Sequence, residues 1–140
     1  MNNEKDIYGV GDCSYKAAGE ISGLIALVES FYFFMDTLPE AKHIRSMHSD
    51  DLSETKTKLA YFLSGWLGGP KLYPEHFKTM PIPLAHKHLP IGRDETEAWM
   101  LCMQKAIDEQ PYATAFKQYL ITQLRVPAER IKHVCSHATQ

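Results

Sequence analysis

The sequence predicts an all-α protein. Apolar residues recur at intervals of three and four between positions 20 and 35, which is the spacing of one face of a helix. Two pairs of residues three apart, Asp51 with Glu54 and Asp94 with Glu97, are typical of capping boxes that begin helices. No run of alternating apolar residues is long enough to indicate a strand.

The predicted helices follow one another with short connections. They comprise a short helix from Ser14 to Ala18, a longer one from Glu20 or Ser22 to Met35, a short piece from Pro39 to Met47, and helices from Asp51 to Leu67 and Asp94 to Gln110, before a last helical region after Pro111. Four prolines between 71 and 90 exclude a long helix there, so we expect a structured loop. Pro127 lacks a backbone N–H, and we expect a kink or break between Leu124 and Pro127.

Length, composition and net charge indicate how many domains the chain has and which partners are excluded. A chain of 140 residues with 44% apolar residues suits a single domain at 1–140, in which 1–13 form a loosely ordered N-terminal arm. The net charge of −2, without a basic stripe, argues against nucleic acid and anionic membranes as partners. No signal peptide or membrane span is evident, so we expect a cytoplasmic protein.

Histidine and cysteine spacing limits the kinds of metal site. Three cysteines without a CxxC pair argue against a disulfide framework and against structural zinc. Of seven histidines, His86 and His88 are the closest pair, but their spacing of two does not place both on one helix face. The pair of Glu-x-x-His motifs that a di-iron bundle requires is absent from the sequence. One axial histidine in an apolar helical pocket is the simplest remaining chemistry, and haem is held in this way.

Several segments together resemble a known family. They are Phe31-Tyr32, Ile44 to His48 leading to Asp51-Leu52, Phe62-Leu63 through Gly68-Gly69-Pro70 with Tyr73, His86 followed by Leu89 to Gly92, and Ala98 to Met103. In this order and spacing they resemble the truncated haemoglobins of the second group, over nearly the whole chain. The resemblance implies a two-over-two helical sandwich around haem b.

The resemblance also implies which histidine binds the iron. In the family the proximal ligand lies five residues before the Ile of the Pro-Ile-Gly segment and thirteen before the tryptophan. Only His86 meets both distances, whereas His88 meets neither.

The remaining positions that the resemblance assigns to the haem site lie on the distal side or along the haem. They are Tyr32, His48, Thr55, Leu59, Phe62, Tyr73 and Trp99. Of these, Tyr32 and Trp99 would lie over the bound ligand, where a phenol O–H and an indole N–H can each donate a hydrogen bond. On spacing alone, Tyr32 equally suits a tyrosine at the margin of the core with its hydroxyl in water.

Two positions depart from what the family commonly has. His48 stands where many relatives have Phe or Tyr, which suggests the hypothesis that it coordinates the iron opposite His86; a hydrogen-bonded histidine at the pocket edge is the alternative. Ala85 stands where relatives often have an arginine suited to a haem propionate. The candidates left for that role are Lys71, Tyr73, Lys87 and His88.

The expected function is binding of dioxygen and other diatomic ligands, such as nitric oxide and carbon monoxide, by a histidine-ligated haem iron. The resemblance also allows a redox enzyme, either a nitric oxide dioxygenase or a peroxidase-like protein, served by a reductase partner. A haem-based sensor is a weaker alternative, since no output module is recognisable in the sequence. A helical interaction module without a cofactor is the other, and it would tolerate replacement of His86.

Overall fold

The computed structural model describes residues 8–48, 50–72 and 91–138, with side chains as far as His133. The helices in these ranges are α1 (Cys13–Ala17), α2 (Glu20–Thr37), a 3-10 turn (Pro39–Ala41), α3 (Lys42–Ser46), α4 (Ser53–Trp66), α5 (Arg93–Asp108) and α6 (Thr114–Ala138). No strand occurs among the described residues, and the predicted all-α class is confirmed. Beyond Leu72, the predicted loop at 71–90 lies outside the described ranges.

Helix α2 is the centre of the core. It packs against both α4 and α5, and α5 in turn packs against α6. Leu24, Leu27 and Phe31 are fully buried on its inner face, together with Val28 and Met35, which are 1% exposed. The spacing of three and four that predicted the helix therefore also identifies the face on which the other helices pack.

The start of α4 differs from the predicted capping box. The carboxylate of Asp51 accepts hydrogen bonds from the backbone N–H of Ser53, at 2.9 Å, and from its hydroxyl, at 2.7 Å. Glu54 instead pairs with Lys58 one turn later. Asp51 thus supports the first turn, but the reciprocal bond expected from Glu54 is replaced by an ion pair on the helix surface.

The start of α5 is a capping arrangement made by a different glutamate from the one predicted. Oε1 of Glu95 accepts a hydrogen bond of 2.8 Å from the backbone N–H of Gly92, the residue that precedes the helix. Glu97, the predicted partner, forms two hydrogen bonds with Arg125 of α6 instead. The prediction placed the capping residue two positions too late, at Asp94 instead of Gly92, because Gly92 has no side chain to signal a cap.

Of the predicted kink or break near Pro127, the break is wrong, because helix α6 continues through this residue. A proline inside a helix loses one backbone hydrogen bond and costs about 3 kcal/mol. Contacts on both sides of Pro127 offset this loss: Leu124 and Ala128 are buried, and Arg125 bonds to Glu129 across the proline at 3.1 Å.

The predicted N-terminal arm lies only partly in the described ranges. Tyr8 packs against Phe116 and Tyr119 of α6, with both ring centroids 5.2 Å away. The backbone N–H of Gly9 donates a 2.8 Å hydrogen bond to the hydroxyl of Ser14 in α1. From Tyr8 onward, the segment before α1 is therefore held against the helical body.

The turn after α4 brings two stretches of backbone together. Gly68 has a left-handed φ of +93°, and a Cβ atom there would overlap the carbonyl oxygen of Gly11. The backbone N–H of Tyr15 donates to the carbonyl of Leu67 at 3.1 Å. A glycine at 68 therefore allows the end of α4 to lie directly against the segment that leads into α1.

In the described ranges, no single helix is long and apolar enough to span a membrane. Helix α2 and the Pro39–Ser46 segment meet that test only as a pair bent by 92°, on length and composition alone.

Replacing Gly68 with alanine should destabilise the protein more than the same change at Gly11. Gly11 also has a left-handed φ, +55°, but a Cβ there would meet no atom within 4 Å. In each variant the left-handed backbone conformation of the alanine lowers the free energy of unfolding by roughly 1–2 kcal/mol. In Gly68→Ala alone, overpacking lowers it by about 1–3 kcal/mol more. Thermal or urea unfolding measures the difference, and equal losses would show that the close approach to Gly11 is unimportant.

Candidate functional site

Three of the sequence-predicted site residues come together around Phe31. The ring of Phe31 meets Tyr32 with centroids 4.8 Å apart and Trp99 with centroids 5.1 Å apart, both edge-on. Tyr32 in turn meets the imidazole of His48 edge-on at 5.8 Å. Side chains from α2, from α5 and from the segment after α3 therefore form one continuous aromatic group.

Tyr32 is buried, with 5% of its surface exposed. The structure therefore places Tyr32 in the core cluster rather than at its margin. Burial raises the pKa of Tyr32 well above its usual value, and the positive charge of Arg45 opposes this only in part. The phenol therefore keeps its proton at any physiological pH and can act as a hydrogen-bond donor.

Trp99 lies on α5 and is half-buried against the core. Its indole N–H and the hydroxyl of Tyr32 donate no hydrogen bond to another residue within the described ranges. Buried or partly buried donors of this kind usually find a partner. Both donors remain available to a molecule bound beside Phe31.

His48 is half-buried and follows α3 directly. Its Nδ1 lies 2.9 Å from the carbonyl oxygen of Ile44, one turn earlier. Because a carbonyl can only accept, Nδ1 carries a proton, and in the neutral ring the lone pair is then on Nε2. This tautomer is the one in which histidine commonly binds metals, with the opposite nitrogen bonded to a carbonyl.

Helix α4 contributes a row of half-buried residues. Thr55, Leu59 and Phe62 lie at i, i+4 and i+7 on the same side of the helix, and all three are of intermediate exposure. Phe62 stacks on Trp66 with centroids 6.3 Å apart. Leu63 is fully buried beside this row. The row therefore offers an apolar strip that a flat apolar molecule can cover.

Two polar contacts that sequence analysis did not anticipate connect α3 to its neighbours. Nδ1 of His43 lies 2.8 Å from Oε2 of Glu95 on α5, and Arg45 forms an ion pair with Asp36 on α2. His43 and Glu95 are 52 residues apart in the chain. No local pattern links residues so distant, so single-sequence reasoning had no signal for this pair.

The proximal side of the predicted site falls outside the described residues. This applies to His86 and His88, to Tyr73, and to Ala85 and Lys87. Lys71, one of the propionate candidates, is described and is exposed. In the described ranges, no group of three His, Cys, Asp or Glu side chains could hold a metal ion.

The described residues suit a haem group by their chemistry. Apart from Thr55 the strip on α4 is apolar, and it is partly open, which suits the face of a porphyrin. Leu59, Phe62 and Trp99 pack against the core cluster that contains Tyr32. A polar ligand set for an isolated cation is absent from the described part of the chain. The arrangement is one in which an apolar cofactor is enclosed and a small polar ligand receives hydrogen bonds.

Comparison with known proteins identifies the family. The bacterial-like globin family model matches residues 14–132. The group 2 truncated haemoglobin of Bacillus subtilis is 32% identical over 117 residues, which are 84% of this chain and 86% of the relative.

Solved structures agree with this family. A group II 2-on-2 haemoglobin from Agrobacterium tumefaciens has a TM-score of 0.79 and 34% identity, covering 85% of this chain and 92% of its own. A cold-adapted truncated haemoglobin from Pseudoalteromonas haloplanktis has a TM-score of 0.80 and 29% identity, covering 84% and 95%. The predicted two-over-two globin fold is thereby confirmed.

Globins are haem proteins that bind small diatomic ligands. The family match extends from α1 almost to the end of α6, and the relatives above share both sequence and fold with this chain. The chain therefore belongs to the bacterial-like globin family and is a truncated haemoglobin of the second group.

Proposed function

We propose that this protein binds dioxygen reversibly at haem b held by His86, with Tyr32 and Trp99 as the hydrogen-bond donors to the ligand. Nitric oxide and carbon monoxide are the other ligands expected at such a site. The observation that carries the proposal is that Tyr32 and Trp99 both contact the ring of Phe31. Both side chains keep a donor that no other described residue uses.

Haem, when bound, supplies an iron atom that takes a diatomic molecule at its open position. Residues of α4 would then lie against the porphyrin, with Leu59 and Phe62 as the apolar contacts. Thr55 is too short to act as a strong iron ligand, so it leaves the polar contacts to Tyr32 and Trp99. The burial of Phe31 and Tyr32 limits the access of water around Tyr32, which strengthens a hydrogen bond that it makes.

The two donors favour retention of the ligand over rapid release. The pKa of Tyr32 is raised by its burial, so its proton is held rather than given up. A hydrogen bond to an acceptor that carries negative charge contributes about 1.5–3 kcal/mol. Two such bonds slow ligand escape, and we infer a protein that holds dioxygen tightly.

Nitric oxide dioxygenation or peroxidase-like turnover would use the same two donors and would need a reducing partner. No feature within the described ranges favours turnover over reversible binding. Reversible ligand binding therefore stays the proposed function. A reductase would be the partner only in the redox alternative.

Replacing His86 with alanine should remove the axial-histidine signature from the visible absorption spectrum of the haem-bound protein, in both the ferric and the dithionite-reduced forms. His88→Ala is the matched control, since it removes an imidazole two positions away and should leave the spectrum as in the wild type. Loss of the signature in His88→Ala alone would transfer the proximal role to His88. A protein that takes up no haem on reconstitution in any form would overturn the proposed function.

Tyr32→Phe and Trp99→Phe should each speed dioxygen dissociation by about 10- to 150-fold, the factor that corresponds to losing about 1.5–3 kcal/mol. Stopped-flow displacement of dioxygen by carbon monoxide measures the rate. Tyr112→Phe provides the control, because burial raises the pKa of Tyr112 to about 12 and its hydroxyl donates instead to the carbonyl of Ala18. Unchanged rates in the first two variants would show that these residues do not hold the ligand.

We also propose that Nε2 of His48 coordinates the haem iron opposite His86 when no external ligand is present. The support is the bond from Nδ1 to Ile44, which leaves the lone pair on Nε2 in the neutral ring. The edge-on contact with Tyr32 keeps the imidazole beside the distal donors.

Replacing His48 with phenylalanine should abolish the low-spin fraction of the ferric absorption spectrum while preserving the aromatic contact with Tyr32. Binding of external ligands should become faster, because no internal ligand has to leave first. An identical low-spin fraction in the wild type and in His48→Phe would rule out coordination by His48 and leave it as a hydrogen-bonded residue at the pocket edge.

A further inference from the structure

Helix α3 has only five residues, yet two of its side chains reach the two helices that carry the distal donors. Arg45 pairs with Asp36 on α2, and His43 pairs with Glu95 on α5 at 2.8 Å. A helix this short has little stability of its own. Its position is therefore fixed by these contacts and by the packing of Ile44, which is 5% exposed.

The two carboxylates that α3 contacts, those of Asp36 and Glu95, each lie close to one of the proposed donors. Asp36 lies four residues after Tyr32 on α2, and Glu95 lies four residues before Trp99 on α5. Residues four apart in a helix are neighbours on one side of it. Each contact made by α3 is thus one helical turn from a side chain that donates to the ligand in the proposed function.

The carboxylate of Glu95 is held from two directions. Oε1 accepts the backbone N–H of Gly92 at 2.8 Å, while Oε2 contacts His43. The hydrogen bond from Gly92 is the main reason why the pKa of Glu95 lies below its usual value, with a smaller contribution from His43. Glu95 is consequently ionised at neutral pH, and only 18% of its side chain is exposed. The first turn of α5 is thereby tied to α3 as well as to its own cap.

His48 is attached to the same short helix, through the bond from Nδ1 to the carbonyl of Ile44. Arg45 also donates to the backbone carbonyl of Asp50 at 3.3 Å, just beyond His48. One five-residue helix therefore has direct bonds to all three segments that line the distal side.

We propose that His43 and Arg45 are positioning residues, which make α3 set the separation between the hydroxyl of Tyr32 and the indole N–H of Trp99. This proposal rests on the proposed function in naming those two groups as the donors. It predicts that breaking the His43–Glu95 contact moves Trp99, which lies one helical turn further along α5. A purely structural ion pair would contribute slightly to stability and leave Trp99 unmoved, since exposed pairs contribute little.

The indole N–H resonances of uniformly ¹⁵N-labelled full-length protein provide the test. The described residues contain both tryptophans of the chain, and Trp66→Phe assigns the two signals. His43→Leu should shift the Trp99 signal and leave that of Trp66 in place. His43→Asn should restore the wild-type position, because the amide nitrogen of asparagine stands close to where Nδ1 of histidine lies and can donate to Glu95.

Arg125→Met is the matched control. It removes the contact between Arg125 and Glu97, an exposed ion pair that also joins α5 to a neighbouring helix. Glu97 is two residues from Trp99, on a different side of α5. Thermal unfolding of each variant confirms that the protein is folded under the conditions of the spectra.

A Trp99 shift in His43→Leu that is reversed in His43→Asn and absent in Arg125→Met supports the proposal. An unchanged Trp99 signal in His43→Leu overturns it, and so does an equal shift in Arg125→Met, which would indicate general loosening of α5. This readout does not require haem, so it separates the proposal from the proposed function, which the absorption spectrum tests. In haem-bound protein, His43→Leu should speed dioxygen dissociation by about fivefold, the factor that corresponds to about 1 kcal/mol.

Discussion

The burial of Phe31 is the interaction on which the site depends. This ring is fully buried on the face of α2 that packs against α4 and α5, and it contacts both Tyr32 and Trp99. Burying a phenylalanine side chain contributes about 1.5–3 kcal/mol to folding. The core and the proposed ligand site therefore share one side chain, and the packing that stabilises the fold also determines where Tyr32 and Trp99 lie.

The site places polar groups in apolar surroundings. Removing a hydroxyl from water costs free energy, and only 5% of the surface of Tyr32 remains exposed. The same desolvation that raises the pKa of Tyr32 keeps the phenol neutral and makes any bond to a ligand stronger. The burial of Phe31 stabilises the fold, and the desolvation of the neighbouring Tyr32 hydroxyl offsets part of that gain. In the proposed function this hydroxyl is a donor to a small polar ligand.

Sequence reasoning was most successful where a pattern is local. The period of α2 identified both the helix and its buried face. The family resemblance selected Tyr32, His48 and Trp99, whose rings form one group with Phe31 in the structure. Sequence reasoning failed at the start of α5, where Glu95 rather than Glu97 bonds to the backbone of Gly92, because a glycine cap has no side chain to recognise.

Tertiary contacts explain the other differences. Pro127 lies inside a continuous helix because buried neighbours and the bond between Arg125 and Glu129 offset its missing hydrogen bond. The contact of His43 with Glu95 joins residues 52 apart, and only the packing of α3 on α5 reveals it. The roles of His86 and Tyr73 rest on sequence resemblance alone, since both lie outside the described ranges.

The adjacency of Phe31 and Tyr32 limits how such a protein can diversify. Successive residues of a helix point about 100° apart, so an insertion or deletion within α2 would exchange the buried ring and the phenol for other side chains and disrupt the core at once. Variation in ligand chemistry is therefore expected to arise by substitution at positions 32, 48 and 99, while the helices keep their register. Relatives with different ligand preferences should consequently superpose closely in backbone and differ in a few side chains.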